Sequence, residues 1–200
     1  MAGYWNNEKA TKETIKNGWL YTGDLGYLDK DGFLYVLGRF KSLLIGSDGE
    51  KFSPEGIEEA FVDQSKFIEQ VMLYNNQSQY TTCLLFPNVP ELLKELKILN
   101  LSISTIQGKE AVFNILKSEI GKYKKGDIYE GMFPERWLPT SIGILGEGFT
   151  EENKFLNSTL KMVRNKIIEY YMSRIEFLYT PLGKTTNNEQ NIRILSHWEK

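Results

Sequence analysis

The most constraining feature of the chain is a turn, Lys30-Asp31-Gly32, set between two runs rich in strand-forming residues, "GYLD" before it and "GFLYVLG" after it. Gly32 admits positive φ and Asp31 hydrogen-bonds its own backbone readily, so the segment predicts an antiparallel hairpin. Local structure of this kind fits a mixed chain only if the rest supplies both helices and a sheet, and it does. "EQVMLYN" and "YTTCLLFP" read as strands, "VPELLKELKIL" and "STIQGKEAVFNILKSEIGKY" as helices, the second with Phe113, Leu116, Ile120 and Tyr123 on one face. Ser53 and Pro54 read as N-cap and first residue of a helix carrying Ile57, Ala60 and Phe61. A further strand, "SIGIL", precedes the loop "GEGFTEENKFLNST", and a long amphipathic helix is expected from about Ser158 with Val163, Ile167, Tyr170 and Tyr171. Before the hairpin, "NNEKATKETIKNG" suits a helix capped by Asn7 and ended by Asn17-Gly18. The tail from Thr185 is polar and is expected to be a mobile extension.

Charge and composition exclude several functions. A formal charge of −2 over 200 residues, with no block of like charge, gives no electrostatic basis for a nucleic-acid surface. The lone Cys83 rules out an intrachain disulfide and points to a reducing compartment. No apolar stretch approaches the roughly 18 residues of a membrane span, and the start lacks the pattern of a signal peptide, so a cytoplasmic location is expected. "LDKDG" is no calcium loop, since aligning Gly32 with the invariant glycine puts Tyr27 and Gly38 at the acidic ligand positions. "GKT" at Gly183 is no phosphate loop, because Leu178 stands where its first glycine belongs. The only histidine, His197, lies in the tail, which removes histidine triads and multi-histidine metal sites.

The ordered set "YTGDLGYLDKDG", "GRFKSLLI", "SDGEKFSPEGIEE" and "STLKMVR" resembles the C-terminal portion of the adenylate-forming enzymes, the superfamily of acyl-CoA synthetases, luciferases and peptide synthetase adenylation domains. "GYWNNEKATKE", "FPERWLP" and "FTEEN" look most like the long-chain fatty acid CoA ligases, and the likeness runs from about Gly3 to Lys184. The fold implied is α+β, a small β-sheet flanked by helices and preceded by a β-hairpin from the end of the large adenylation domain. The implied division is residues 1–40 as the tail of that large domain, 41–184 as a small mobile lid domain, and 185–200 as a polar tail.

Taken alone, each candidate residue is ordinary: a turn aspartate, a surface arginine, two exposed lysines, a turn glycine. The resemblance implies more. Asp24 would accept hydrogen bonds from both ribose hydroxyls of ATP, an acceptor-only group facing two donors. Arg39 would reach the ribose or phosphates. Lys41 falls at the hinge about which the small domain rotates, and Gly49 at the loop that lies against the pantetheine arm of CoA. Lys161 would bind the carboxylate and α-phosphate as the acyl-adenylate forms, offsetting negative charge. Near it the sequence departs from the family pattern: Lys154 stands where glycine is usual, and Asn157-Ser158 where Thr-Pro is.

The resemblance further implies ATP, Mg²⁺ and CoA as the reactants and cofactors of the intact enzyme, with no metal ligand identified in this chain. The implied partners are a fatty acid and the missing N-terminal adenylation domain, while a peripheral membrane contact is left open. Without the phosphate loop and acyl tunnel the chain is expected to be inactive alone. Two other readings stay open, a non-catalytic interaction module of the same fold and an enzyme that loads a carrier protein instead of CoA.

Overall fold

A computed structural model of the chain describes residues 1–199 and divides into two compact units, one ending at Leu43 and one beginning at Leu44. In the first unit, helix α1 (Glu8–Thr14) starts where expected: the Asn7 side chain accepts a hydrogen bond from the Ala10 amide at 3.0 Å. It ends earlier than the sequence suggested. Asn17 (φ 52°) and Gly18 (φ 80°) form the two-residue turn of a small ribbon in which β1 (Ile15–Lys16) pairs with β2 (Trp19–Leu20). Positive φ at both turn residues matches the right-handed twist of the flanking strands, so these residues make a hairpin turn and not a helix end.

The predicted hairpin is present as β3 (Asp24–Leu28) and β4 (Leu34–Arg39). Asp29 Oδ1 accepts from the amides of Asp31 and Phe33, each at 2.9 Å, and Gly32 has φ 86°. Those amides, the Phe33 one above all, hold the Asp29 carboxyl below its ordinary range. Tyr27 and Tyr35 stack across the strands at 5.0 Å. No residue of this unit is buried, and Trp19, Leu28, Phe33, Leu34 and Val36 are between 66% and 74% exposed. An isolated two-stranded hairpin is marginal in water without a further layer to cover its apolar side chains.

The second unit runs β5 (Leu44–Gly46), β6 (Lys51–Phe52), α2 (Glu55–Asp63), β7 (Ile68–Tyr74), β8 (Asn76–Ser78), β9 (Thr81–Pro87), α3 (Val89–Ile98), α4 (Ile106–Gly121), β10 (Pro139–Ile144), α5 (Arg164–Leu178) and α6 (Glu189–Ser196). The central sheet has the order β10-β9-β7, with β9 antiparallel to β7 and parallel to β10. A smaller sheet has the order β6-β5-β8. This is the α+β class expected.

The central sheet is covered on both faces, which explains why "TTCLLF" is continuously apolar and does not alternate. Val71, Leu73, Cys83, Leu85, Ile142 and Ile144 join one core with Ile57, Phe61, Leu92, Leu96, Val112 and Leu116. Met72 and Leu84 point the other way, into a second core with Ile167, Ile175, Leu178, Phe149 and Phe155. Phe113, Leu116, Ile120 and Tyr123 are all buried, as their spacing predicts. Burial also pushes the Cys83 thiol far up, which makes it inert.

Three expectations need correction. The helix expected from Ser158 begins only at Arg164, because residues 155–163 form a tight turn, and it kinks at Tyr171 (φ −98°, ψ 16°). Helix α2 is capped at Pro54, while the Ser53 hydroxyl donates to the Glu55 carboxylate. The largest correction concerns the tail. Residues 189–196 fold as α6, capped by Asn188, with Leu195 and Asn191 fully buried. Asn191 Oδ1 accepts from the Ile144 amide and its Nδ2 donates to the Ile142 carbonyl, both at 2.8 Å, so one side-chain amide takes the place of a neighbouring strand at the edge of β10. Among the described residues no helix is long and apolar enough to cross a membrane.

Candidate functional site

The turn Thr22-Gly23-Asp24 and the end of β4 bring two of the expected residues together. The register sets Asp24 opposite Arg39, and Arg39 Nε lies 3.1 Å from Asp24 Oδ1. Arg39 Nη2 also donates to the Thr22 carbonyl at 2.9 Å, and the Asp24 amide donates to Thr22 Oγ1 at 3.1 Å. Gly23, at φ 79°, allows the turn, and its carbonyl accepts from the Phe40 amide at 2.9 Å. With Arg39 and Asp24 side chains 64% and 44% exposed, this pair is worth about 0–1 kcal/mol. An incoming diol or phosphate can therefore compete for both groups at little cost, and the carboxylate keeps acceptor sites free for hydroxyl donors. Lys41 lies in the one-turn 3₁₀ helix Phe40–Ser42, exposed, just before the boundary between the two units.

Gly49 sits at the tip of the β5–β6 hairpin. The Gly46 amide donates to the Glu50 carbonyl at 2.8 Å, the Gly49 amide to the Gly46 carbonyl at 3.0 Å, and Asp48 Oδ1 accepts from the Glu50 amide at 3.0 Å. Gly49 has φ 81° with open space where a Cβ would be, so its demand is conformational. The next residue anchors the hairpin. The Glu50 carboxylate accepts from Arg136 Nε at 2.6 Å, from Arg136 Nη2 at 2.8 Å and from Trp137 Nε1 at 2.9 Å, and the Trp137 ring stacks on Phe52 at 4.9 Å. The Arg136 hydrogen bond, followed by that of Trp137, lowers the Glu50 carboxyl from its reference value of 4.5, while Arg136 is raised by the same contact.

A depressed carboxyl contributes stabilisation that is complete above its unfolded value and is lost as pH falls through the folded one. The Trp137 indole N–H resonance is therefore expected to hold its position down to pH 4.5 and to move only below it. Movement centred above pH 4.5 would contradict the arrangement.

Lys161 is presented by a compact turn in which one side chain organises the backbone. Leu156 bridges Met162, and Asn157 Oδ1 accepts from the Thr159 amide, the Thr159 hydroxyl and the Lys161 amide at 2.8–2.9 Å. Asn157 thus does in this chain the turn-making expected of Thr-Pro. Lys161 is exposed and has no ion-pair partner among the described residues. In the segment leading to Lys161, Lys154 at 62° and Leu160 at 58° adopt left-handed φ; Lys154 is the position where glycine was the expected residue. A side chain there costs about 1–2 kcal/mol, part of which glycine returns through unfolded-chain entropy. Lys154→Gly is expected to stabilise the chain by about 0.5–1 kcal/mol, read as a raised urea midpoint at constant slope.

Arg164, three residues after Lys161, fixes the base of this turn. Its Nη1 and Nη2 lie 2.8 and 2.9 Å from the two oxygens of Glu58, and Nη2 also donates to the Leu73 carbonyl at 2.6 Å. Glu58 in turn accepts from the Leu73 amide at 2.6 Å. The pair joins α2, β7 and α5 with side chains only 5% and 13% exposed. Burial pushes the Glu58 carboxyl up, against the opposing pull of Arg164. Sequence reasoning missed Glu58 and the trio Glu50, Arg136 and Trp137. A signal existed for Glu58 alone: it is buried on α2 with Ile57 and Phe61, an acid on an apolar face.

Gly49 and Lys161 belong to the second unit on separate loops, and no hydrogen bond or ion pair joins them among the described residues. Nor, among those residues, do three or more His, Cys, Asp or Glu side chains converge as a metal site would require.

No family model matches the chain. It is 31% identical over 197 residues to the long-chain-fatty-acid–CoA ligase ACSBG1 of Rattus norvegicus, an alignment covering 88% of this chain and 27% of that protein. Against fatty acyl-CoA synthetase B of Dictyostelium discoideum it is 29% identical over 184 residues, covering 90% and 27%. The chain thus spans 27% of the length of these curated relatives. Among solved structures, the adenylation domain of a carboxylate reductase from Mycobacterium chelonae superposes with a TM-score of 0.73 at 23% identity, over 88% of this chain and 26% of that one. The o-succinylbenzoate CoA synthetase of Bacillus subtilis, solved with ATP and magnesium, gives 0.52 at 24% identity, over 83% and 28%.

Proposed function

This chain belongs to the adenylate-forming superfamily, among relatives that are acyl-CoA ligases, and from that premise we propose that it is the lid of an ATP-dependent long-chain fatty acid–CoA ligase. In the first half-reaction a carboxylate oxygen attacks the α-phosphorus of ATP, the bond to pyrophosphate breaks, and acyl-AMP forms. In the second, the CoA thiolate attacks the acyl carbon, the bond to AMP breaks, and the thioester forms. Lys161 serves the first step by placing an ammonium against the oxygens of the α-phosphate and the carboxylate, where negative charge gathers. Asp24 accepts from the ribose diol, and Arg39, released from its weak pair with Asp24, turns its donors to the nucleotide. Lys41 is the hinge and Gly49 borders the path of the pantetheine arm. No cluster of three or more acidic, histidine or cysteine side chains that could hold magnesium converges among the described residues.

The observation that carries the reading is an exposed lysine without an ion-pair partner, held on a turn that a buried bidentate ion pair pins to the core. A long ammonium arm on a rigid base is what a lid needs to deliver one charge to a site assembled elsewhere. The uncovered apolar hairpin of the first unit supports the same view, since the rest of an adenylation domain would cover it.

The test is formation of pyrophosphate and acyl-CoA from ATP, magnesium, palmitate and CoA. The chain alone is expected to give neither, because positioning to fractions of an ångström needs the acyl and nucleotide sites. Mixed with a polypeptide supplying the N-terminal part of such a ligase, it is expected to give both. A well-folded pair that gives neither would turn attention to an interaction module, and acyl-AMP without CoA transfer to a carrier-protein ligase.

A further inference from the structure

Resting on that reading, we infer that Glu50, Arg136 and Trp137 are positioning residues for the CoA half-reaction: together they fix the tip of the β5–β6 hairpin, Ser47-Asp48-Gly49, in the shape that the thiol-bearing arm must pass. The tip has little else to hold it. Ser47, Asp48 and Gly49 are all exposed, β6 is only two residues long, and the hairpin's own hydrogen bonds tie it to itself. The base of the hairpin is tied to the unit by the pairing of β5 with β8 and by Leu44 and Phe52 in the core. Beyond Gly46 the tip is linked chiefly by one carboxylate that gathers three donors at 2.6–2.9 Å from a segment 86 and 87 residues further along.

The geometry resists small displacements. A guanidinium engaging both carboxylate oxygens fixes direction as well as distance, and the indole that supplies the third donor is itself fixed by stacking on Phe52 with an interplanar angle of 4°. Arg136 also lies 3.8 Å from Asp48 Oδ2, so the same guanidinium faces the tip itself. These groups wall one side of a cavity of about 210 Å³ whose lining runs from Gly46 and Asp48 to Tyr80 and Thr140. A displaced tip would change that cavity directly. Lys161 lies on a different loop and has no hydrogen bond to any of the three, so disturbing them should spare acyl-AMP formation.

The experiment follows both half-reactions in the mixture described above. Pyrophosphate release without CoA reads the first, and thioester formation from accumulated acyl-AMP with varied CoA reads the second. The expected result for Glu50→Gln is a KM for CoA raised about tenfold, with pyrophosphate release changed by less than about twofold. Arg136→Lys, which keeps the charge and loses the two-pronged geometry, is expected to fall between wild type and Arg136→Met. Equal losses in both half-reactions would mean a merely structural role and overturn the inference, as would a thioester step indifferent to Glu50→Gln. A wild-type mixture that makes no acyl-AMP would overturn the ligase reading and this inference with it, so the two failures are told apart.

Discussion

Arg164→Met is expected to lower the unfolding free energy by about 3–5 kcal/mol at neutral pH, the range for stranding one charge of a buried pair. The size follows from what remains. Glu58, 5% exposed, would keep only the Leu73 amide as donor, and the Leu73 carbonyl would lose its contact with Nη2 at 2.6 Å. The penalty should depend on pH in a definite direction. Without the guanidinium, burial acts on Glu58 against only the hydrogen bond from the Leu73 amide, and it raises the folded pKa above the reference value of 4.5. A carboxyl raised in the folded state binds its proton more tightly there, so the mutant is relatively more stable below that value and loses ground as pH rises through the folded one. Urea unfolding at pH 7 and pH 5 should show the larger deficit at pH 7.

The double variant Glu58→Met with Arg164→Met separates burial from pairing. It is expected to recover much of the loss, since apolar side chains of similar volume replace the ions without stranding either. A single-variant cost below about 1 kcal/mol would mean that water reaches the pair. Function should suffer as well, because the pair fixes the N-terminus of α5 and hence the turn that carries Lys161.

Local signals were legible in the sequence wherever one segment sufficed to produce them. The β3–β4 hairpin is written in Lys30-Asp31-Gly32, and the strands β7 and β9 in the apolar runs around Val71 and Leu84. Asp24, Arg39, Gly49 and Lys161 are singled out by ordered motifs alone, and the structure shows where each lies: turn, strand end, hairpin tip and Asx turn. What stayed hidden was made by pairs distant in sequence. Nothing near Glu58 says that an arginine 106 residues later will meet it, and nothing near Glu50 announces Arg136.

The tail misled for a related reason. "NNEQNIRILSHW" is polar in composition, yet Asn188 caps a helix whose Asn191 and Leu195, four residues apart, face inward. Asn191 reads as a surface residue until the open edge of β10 is known to need its amide. Polar composition predicted exposure, and backbone hydrogen-bond demand overruled it.

Lys161→Ala is expected to reduce the rate of pyrophosphate release in the reconstituted mixture about 10²–10³-fold, equivalent to about 2.7–4 kcal/mol of transition-state stabilisation. The structure makes this a clean substitution. Lys161 is exposed and bears no ion pair among the described residues, and it enters the turn through its backbone amide and carbonyl, which alanine retains. Folding stability should change by no more than about 0.5 kcal/mol, so lost activity cannot be assigned to lost structure. Thioester formation from acyl-AMP supplied directly should be affected far less, since the charge on the phosphate oxygens has by then already been set. Lys161→Arg distinguishes a need for positive charge from a need for a compact ammonium: a planar fork keeps the former and changes the latter, so intermediate activity would locate the requirement in charge placement. Retention of full adenylation by Lys161→Ala would leave the turn around Asn157 without the purpose proposed for it, and would return Lys161 to the ordinary exposed lysine that it resembles when read alone.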